Sequence, residues 1–168
     1  MKSSSLAAKQ LKQLLAKQLP LMGHRNWIAI TDAAYPLQTQ PGITALTTKL
    51  RQFDVIRLVL SVLGKSDHVR PLAYRDAELD FLTDEQLPGI QVFRDKLAKI
   101  LRHTENQALL HDEIISRLNE AGKHFHVLVI KTDSLLPYTS IFLQLECAYW
   151  DATREKKLRQ NIKKRICI

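Results

Sequence analysis

Moving a proton on and off a small polar molecule takes a side chain that titrates near neutrality and a second group that orients the substrate. This chain places such residues beside segments that read as strands. Gly23-His24 stands just before the apolar run Trp27-Ile28-Ala29-Ile30-Thr31, and Asp32 follows it directly. His111 sits where a short strand over 107–110 gives way to a helix, and Tyr138 and Ser140 lie in a turn ahead of another apolar run. Each has a purely structural alternative. His24 can bond a backbone carbonyl, Asp32 can cap a turn, Tyr138 can pack, and His111 can cap a helix. The common cofactor and hydrolase signatures are absent: the chain has no phosphate loop, no Gly-x-Gly-x-x-Gly, no Gly-x-Ser-x-Gly and no paired-cysteine zinc pattern.

The elements that must position these residues follow from periodicity. Ser3–Ser5 can cap an amphipathic helix with Leu11, Leu14, Leu15 and Leu19 on one stripe, stopped by Pro20. The run 27–31 predicts a buried strand, and 33–42, with Pro36, Pro41 and Gly42, predicts a loop. Leu50, Phe53, Ile56, Leu60 and Leu63 predict a helix ending at a left-handed Gly64. A strand over 69–74 carries Pro71, which argues against an interior position, and the acidic stretch 76–90 reads as a loop. Helices are expected over 92–101 and 112–121, the second closing at Gly122, and strands over 125–130 and 141–145 flank a turn at 132–140. Asp151 can cap a basic helix bearing Leu158 and Ile162. Alternating strands and helices predict a single α/β domain over residues 1–150, a mixed sheet flanked by helices, with a basic helical extension over 151–168.

Composition narrows the partners. With 168 residues, 45% apolar and 25% charged, the chain is expected to fold around one core. The net charge of +8 is concentrated at the ends. Residues 151–168 hold seven Lys or Arg against two acids, residues 1–20 hold four lysines and no acid, and the middle comes to −1. A body this close to neutral is a poor phosphate-binding surface, so nucleic acid is not an expected partner, and any such contact would fall to the termini. Cys147 and Cys167 have no partner at metal-ligand spacing, so neither a metal site nor a disulfide framework is expected. Lysines interrupt the apolar residues of the first twenty positions, which argues against a signal peptide or membrane span and for a cytoplasmic location.

The stretch Gly23-His24-Arg25-Asn26, followed by Ile30-Thr31-Asp32-Ala33-Ala34-Tyr35-Pro36, resembles the signature of the ribose pyranase and fucose mutarotase family, including the step from His24 to Asp32. Pro137-Tyr138-Thr139-Ser140 resembles the family's Pro-Tyr-Ala-Asn, and Leu110-His111-Asp112-Glu113 its histidine-containing junction ahead of a helix. The resemblance spans about residues 6 to 146. It implies an isomerase that exchanges anomers, or pyranose and furanose forms, of a free aldose by general acid/base catalysis without a cofactor. It further implies a homo-oligomer with sites near subunit contacts. His24 would donate the proton, Asp32, Tyr138 and Ser140 would hold sugar hydroxyls, and His111 would add a hydrogen bond or proton transfer, so that His24, Asp32 and His111 form the catalytic set. Ser140 in place of Asn, the Lys131-Thr132-Asp133-Ser134 turn, Arg25-Asn26 after the histidine, and the extension beyond Trp150 depart from the family pattern. They leave open a sugar-binding homologue of the same fold without turnover.

Overall fold

The computed structural model describes residues 2–166. Six strands, β1 (Trp27–Thr31), β2 (Ile43–Thr47), β3 (Val69–Asp76), β4 (Asn106–Leu109), β5 (Val127–Lys131) and β6 (Ile141–Cys147), form one sheet in the order β2-β5-β1-β6-β3-β4. β5 pairs in parallel with both β1 and β2, β3 in parallel with β4, and β6 runs antiparallel to β1 on one side and β3 on the other. Five strands therefore point the same way, and β6 alone among the described strands opposes them. Among the described residues five α-helices accompany the sheet: α1 (Lys2–Gln18), α2 (Gln52–Leu63), α3 (Ile90–Leu101), α4 (His111–Ala121) and α5 (Ala152–Ile166).

The three central strands, β5, β1 and β6, owe their continuous apolar runs to burial on both faces. Side chains alternate across a strand, so Ile28 and Ile30 of β1, Leu128 and Ile130 of β5, and Ile141, Leu143 and Leu145 of β6 enter one core, shared with Leu11 and Leu15 of α1, Val55, Ile56 and Val59 of α2 and Phe93 and Leu97 of α3. Their alternates, Trp27, Ala29, Val127, Val129 and Phe142, enter a second core beneath α4 with Tyr35 and Tyr74. Ile114 and Leu118 of α4 are fully buried there. Each contributes roughly 1.5–3 kcal/mol to holding α4, and His111 at its start, against the sheet.

Several expectations are corrected. β2 falls in a stretch left without an element, because it is an edge strand with no fully buried residue and so lacks the apolar run of the interior strands. Ser3–Ser5 lie within the first turn of α1 rather than ahead of it. Gly64 and Gly122 both close their helices in the right-handed region, at φ −65° and −63°. Gly122 is small for a different reason: a Cβ there would lie 2.6 Å from Ile43 Cγ1, and one at Gly42 would lie 2.6 Å from the Gly122 carbonyl oxygen. The two glycines let the end of α4 approach the start of β2, where the Gly42 N–H donates to Gly122 O at 2.9 Å. The left-handed glycine is Gly89, at φ 88°, immediately before α3.

Pro71 sits inside β3 without cost. Its register partner is Leu145 of β6, and β4 begins its pairing only at Ala73. The Ala73 N–H donates toward β4, to Glu105 O, so the missing donor two residues earlier faces a side where β4 has not yet begun. The acidic loop after β3 contains a 3-10 turn, Ala77–Asp80. Asp151 does accept from the N–H of Arg154 at 2.8 Å, ahead of α5. That helix is exposed along nearly its whole length, Leu158 and Ile162 included. No described helix is long and apolar enough to cross a membrane. Cys167 lies outside the described residues.

Candidate active site

The strand directions decide which residues can meet. β1, β3 and β4 deliver their carboxyl ends to one edge of the sheet, and β6 delivers its amino end there. Asp32 after β1, Asp76 at the end of β3, His111 after β4 and Ser140 before β6 therefore gather at one edge, the usual place for a ligand crevice in α/β sheets. A recess of about 360 Å³ opens there, lined by Asp32, Tyr35, Pro36, His111, Pro137 and Tyr138 among others. Its size is at the small end for ligand sites. A larger groove of about 510 Å³ lies between α1 and the edge of β2, but its lining, chiefly leucine and alanine with Thr47, Thr48 and Lys49, offers no acid-base pair.

Each lining group is held from behind. Asp32 accepts from the Ala34 N–H through Oδ1 at 2.8 Å and from the Ser140 hydroxyl through Oδ2 at 3.3 Å. It thus serves as a turn cap and still lines the recess. Ser140 is almost wholly buried, so the structure corrects its expected place: it orients Asp32 from below instead of facing a solute. Tyr138 adopts a left-handed φ of 56°, uncommon for a bulky residue. The turn is fastened by Gln52 at the start of α2, whose Nε2 donates to Thr139 O at 2.5 Å and whose Oε1 accepts from Thr139 Oγ1 at 3.2 Å. That fastening sets the Tyr138 ring edge-on to the His111 imidazole, 5.7 Å between centroids.

His111 is the most constrained group in the recess. Its backbone N–H donates to both carboxylate oxygens of Glu78, at 3.0 and 3.1 Å, satisfying the first amide of α4. Its Nδ1 lies 3.0 Å from Oδ1 of Asp76, which is fully buried. Burial pushes the Asp76 carboxyl up to about 6; the hydrogen bond and charge of His111 oppose this, while Glu78 and Asp32 add to it. Tyr35, with its hydroxyl donating to Gln38 Oε1 at 2.9 Å, is held well above its usual range by burial and by the same two aspartates.

His24 does not join them. It lies in the turn before β1, exposed, while Asp32 lies beyond the other end. Five extended residues span roughly 16 Å, so the expectation that His24 and Asp32 share one recess fails within a single chain. That turn is pinned to the far edge of the sheet, where the Arg25 N–H donates to Leu145 O at 2.8 Å. Sequence reasoning missed Asp76, Glu78 and Gln52. Asp76 closes β3, whose Arg70, Pro71 and Arg75 break the kind of apolar run that pointed to Asp32 after β1.

An open mixed sheet flanked by helices, with an acid- and imidazole-lined crevice at its carboxyl edge, places the chain among α/β proteins. The chain belongs to the RbsD / FucU transport protein family, whose sequence model matches residues 1–148. Among solved structures it is similar to RbsD of Bacillus subtilis complexed with D-ribose, at 25% identity over 79% of this chain and 90% of that one, with a TM-score of 0.54. It shares its fold with FucU from Bifidobacterium longum, at 16% identity over 80% and 94% of the two chains and a TM-score of 0.51. The same holds for the fucose mutarotase in complex with L-fucose from Streptococcus pneumoniae, at 16% identity over 79% and 90% and a TM-score of 0.50. No curated protein sequence matches the chain.

Proposed function

We propose that the chain interconverts anomers or ring forms of a free aldose, with the recess at the carboxyl edge as the sugar site. The observation that carries this reading is the convergence of Asp32, His111 and Tyr138 on one compact, open recess. Family membership and the ribose complex of the Bacillus subtilis relative support a monosaccharide ligand. Among the described residues no Lys or Arg lines the recess, and Asp32 and His111 are its titratable groups besides two tyrosines. Such a surface suits a neutral, hydroxyl-rich sugar and repels a sugar phosphate.

Ring exchange asks for two proton transfers. The anomeric O1–H proton passes to a base, its electron pair forms the C1=O1 bond, and the C1–O5 pair leaves with O5, which takes a proton from an acid. Rotation about C1 and the reverse steps give the other anomer, and attack by a different hydroxyl gives the other ring size. In this reading His111 is the base, Asp32 and Tyr138 hold hydroxyls, and His24 is the acid. Because His24 lies at the opposite edge of its own sheet, it reaches a sugar only in the recess of a neighbouring copy, so the active form is a homo-oligomer with sites at subunit contacts.

Saturation-transfer NMR of anomer exchange, run on an aldose panel that includes ribose and fucose, tests this directly. Acceleration by the wild type, and its loss in both His24→Ala and Asp32→Asn, is the expected result. Co-assembling the two inactive variants should restore up to about a quarter of the sites by random pairing. No acceleration with any sugar rejects the enzyme, and saturable binding without acceleration replaces it with a sugar-binding protein.

A further inference from the structure

We infer that Asp76 is a positioning residue that locks His111 in the tautomer protonated at Nδ1 and so presents a bare Nε2 to the recess as proton acceptor. The role of Nε2 in turnover rests on the sugar-exchange reading above; the tautomer itself does not. Neutral imidazole carries one N–H and one lone pair, and the hydrogen bond made at one nitrogen decides which faces outward. Nδ1 is 3.0 Å from Asp76 Oδ1, so an ionised Asp76 admits only the Nδ1–H form, since the other would set a lone pair against a carboxylate. Nε2 has no hydrogen-bond partner among the described residues, and the imidazole is one-third exposed along the recess wall.

Two further observations show that this contact is built. Asp76 is wholly buried, and its Oδ2 has no partner among the described residues. The His111 Nδ1–H is therefore the one donor among the described residues that this carboxylate engages, and the ring cannot turn away without leaving a buried anion unpaired. The backbone on which the ring turns is fixed independently by the two-oxygen cap from Glu78. The charged or titratable groups facing Asp76 are His111 from α4, Glu78 from the 3-10 turn, Asp32 beyond β1 and Tyr35 from the loop after it. Of these only His111 becomes a cation, so once Nε2 takes the anomeric proton the new charge sits beside a carboxylate already in place.

Long-range ¹H–¹⁵N correlation on histidine-labelled full-length protein at about pH 8 reads the tautomer without any substrate, with His111→Gln providing the assignment. The expected spectrum shows His111 protonated at Nδ1 in the wild type and shifted toward the Nε2–H form in Asp76→Asn, whose amide can donate to Nδ1. An Nε2–H wild type, or a tautomer identical in the two proteins, overturns the inference. In the exchange assay Asp76→Asn is expected to lower kcat by about 10²-fold, the lower end of what a positioned acid-base group contributes, with KM changed less than about twofold. An active wild type whose kcat and pH profile survive Asp76→Asn overturns the positioning role while leaving the proposed function standing. A wild type inactive on every sugar sinks that function, while the spectrum still decides the tautomer.

Discussion

Asp76 should make the protein less stable at neutral pH than in mild acid, and replacing it should reveal by how much. Its carboxyl titrates near 3.8 when exposed and at about 6 in the folded chain, chiefly because burial strips water from the anion. Between those values the folded state holds a proton that the unfolded state has released, so stability falls as pH rises through this window and then levels off. At about 1.4 kcal/mol per pH unit the full loss approaches 3 kcal/mol, of which about 2–3 kcal/mol falls between pH 4 and pH 8. Asp76→Asn keeps the shape and cannot ionise. Urea unfolding of the two proteins at matched pH values cancels the titrating groups remote from Asp76, and the variant's advantage should grow by about 2–3 kcal/mol from pH 4 to pH 8. For a chain of this length that corresponds to roughly 4–12 °C in Tm. A difference that is flat with pH, or one that grows toward acid, would show that the carboxylate is adequately solvated or paired in the fold and would refute the reasoning. The same substitution is expected to slow turnover, so the variant should be the more stable and less active of the two.

Two further outcomes are expected. Gln52→Leu leaves the Thr139 carbonyl without its buried donor and should cost about 1–3 kcal/mol in urea unfolding; it should also weaken sugar binding, measured by titration calorimetry, because the Tyr138 turn loses its fastening to α2. A loss of stability with unchanged affinity would separate Gln52 from the site. Removing residues 151–168 should shift unfolding by less than about 0.5 kcal/mol, as for other exposed surface changes, because α5 is exposed along nearly all its length. A larger loss, accompanied by a lower mass in light scattering, would place that helix on a neighbouring copy.

How far these features could be read from the chain depended on whether their cause was local. β1, β5 and β6 are buried on both faces and announce themselves as apolar runs, and α2 and α4 carry stripes that a 3.6-residue period detects. β2 does not, because an edge strand buries little. The recess mixes both cases. Asp32 and Tyr138 stand in recognisable local motifs, whereas Asp76 acquires its role from a histidine 35 positions away and Gln52 from a threonine 87 positions away. Both pairings exist only once the sheet order is set. His24 shows the opposite error, since closeness along the chain to Asp32 conceals the fact that an extended strand drives two flanking residues apart.

One topological choice accounts for much of this arrangement. β5 and β6 are consecutive strands, yet they lie on either side of β1. Were β6 parallel to β5, the chain would have to cross to the far edge before starting it, and the segment between them would leave the site. Because β6 is antiparallel, that connection stays at the carboxyl edge and must pass over the end of β1, directly above Asp32. The Ala33 N–H pins it there by donating to Ser134 O at 2.8 Å. Tyr138 and Ser140 then arrive on two sides of the same carboxylate, one from the recess wall and one from beneath. The reversal has a second effect at the opposite edge, where the carboxyl end of β6 holds the His24 turn through Leu145. A single reversed strand thus both assembles the recess and commits His24 to the opposite edge of the sheet.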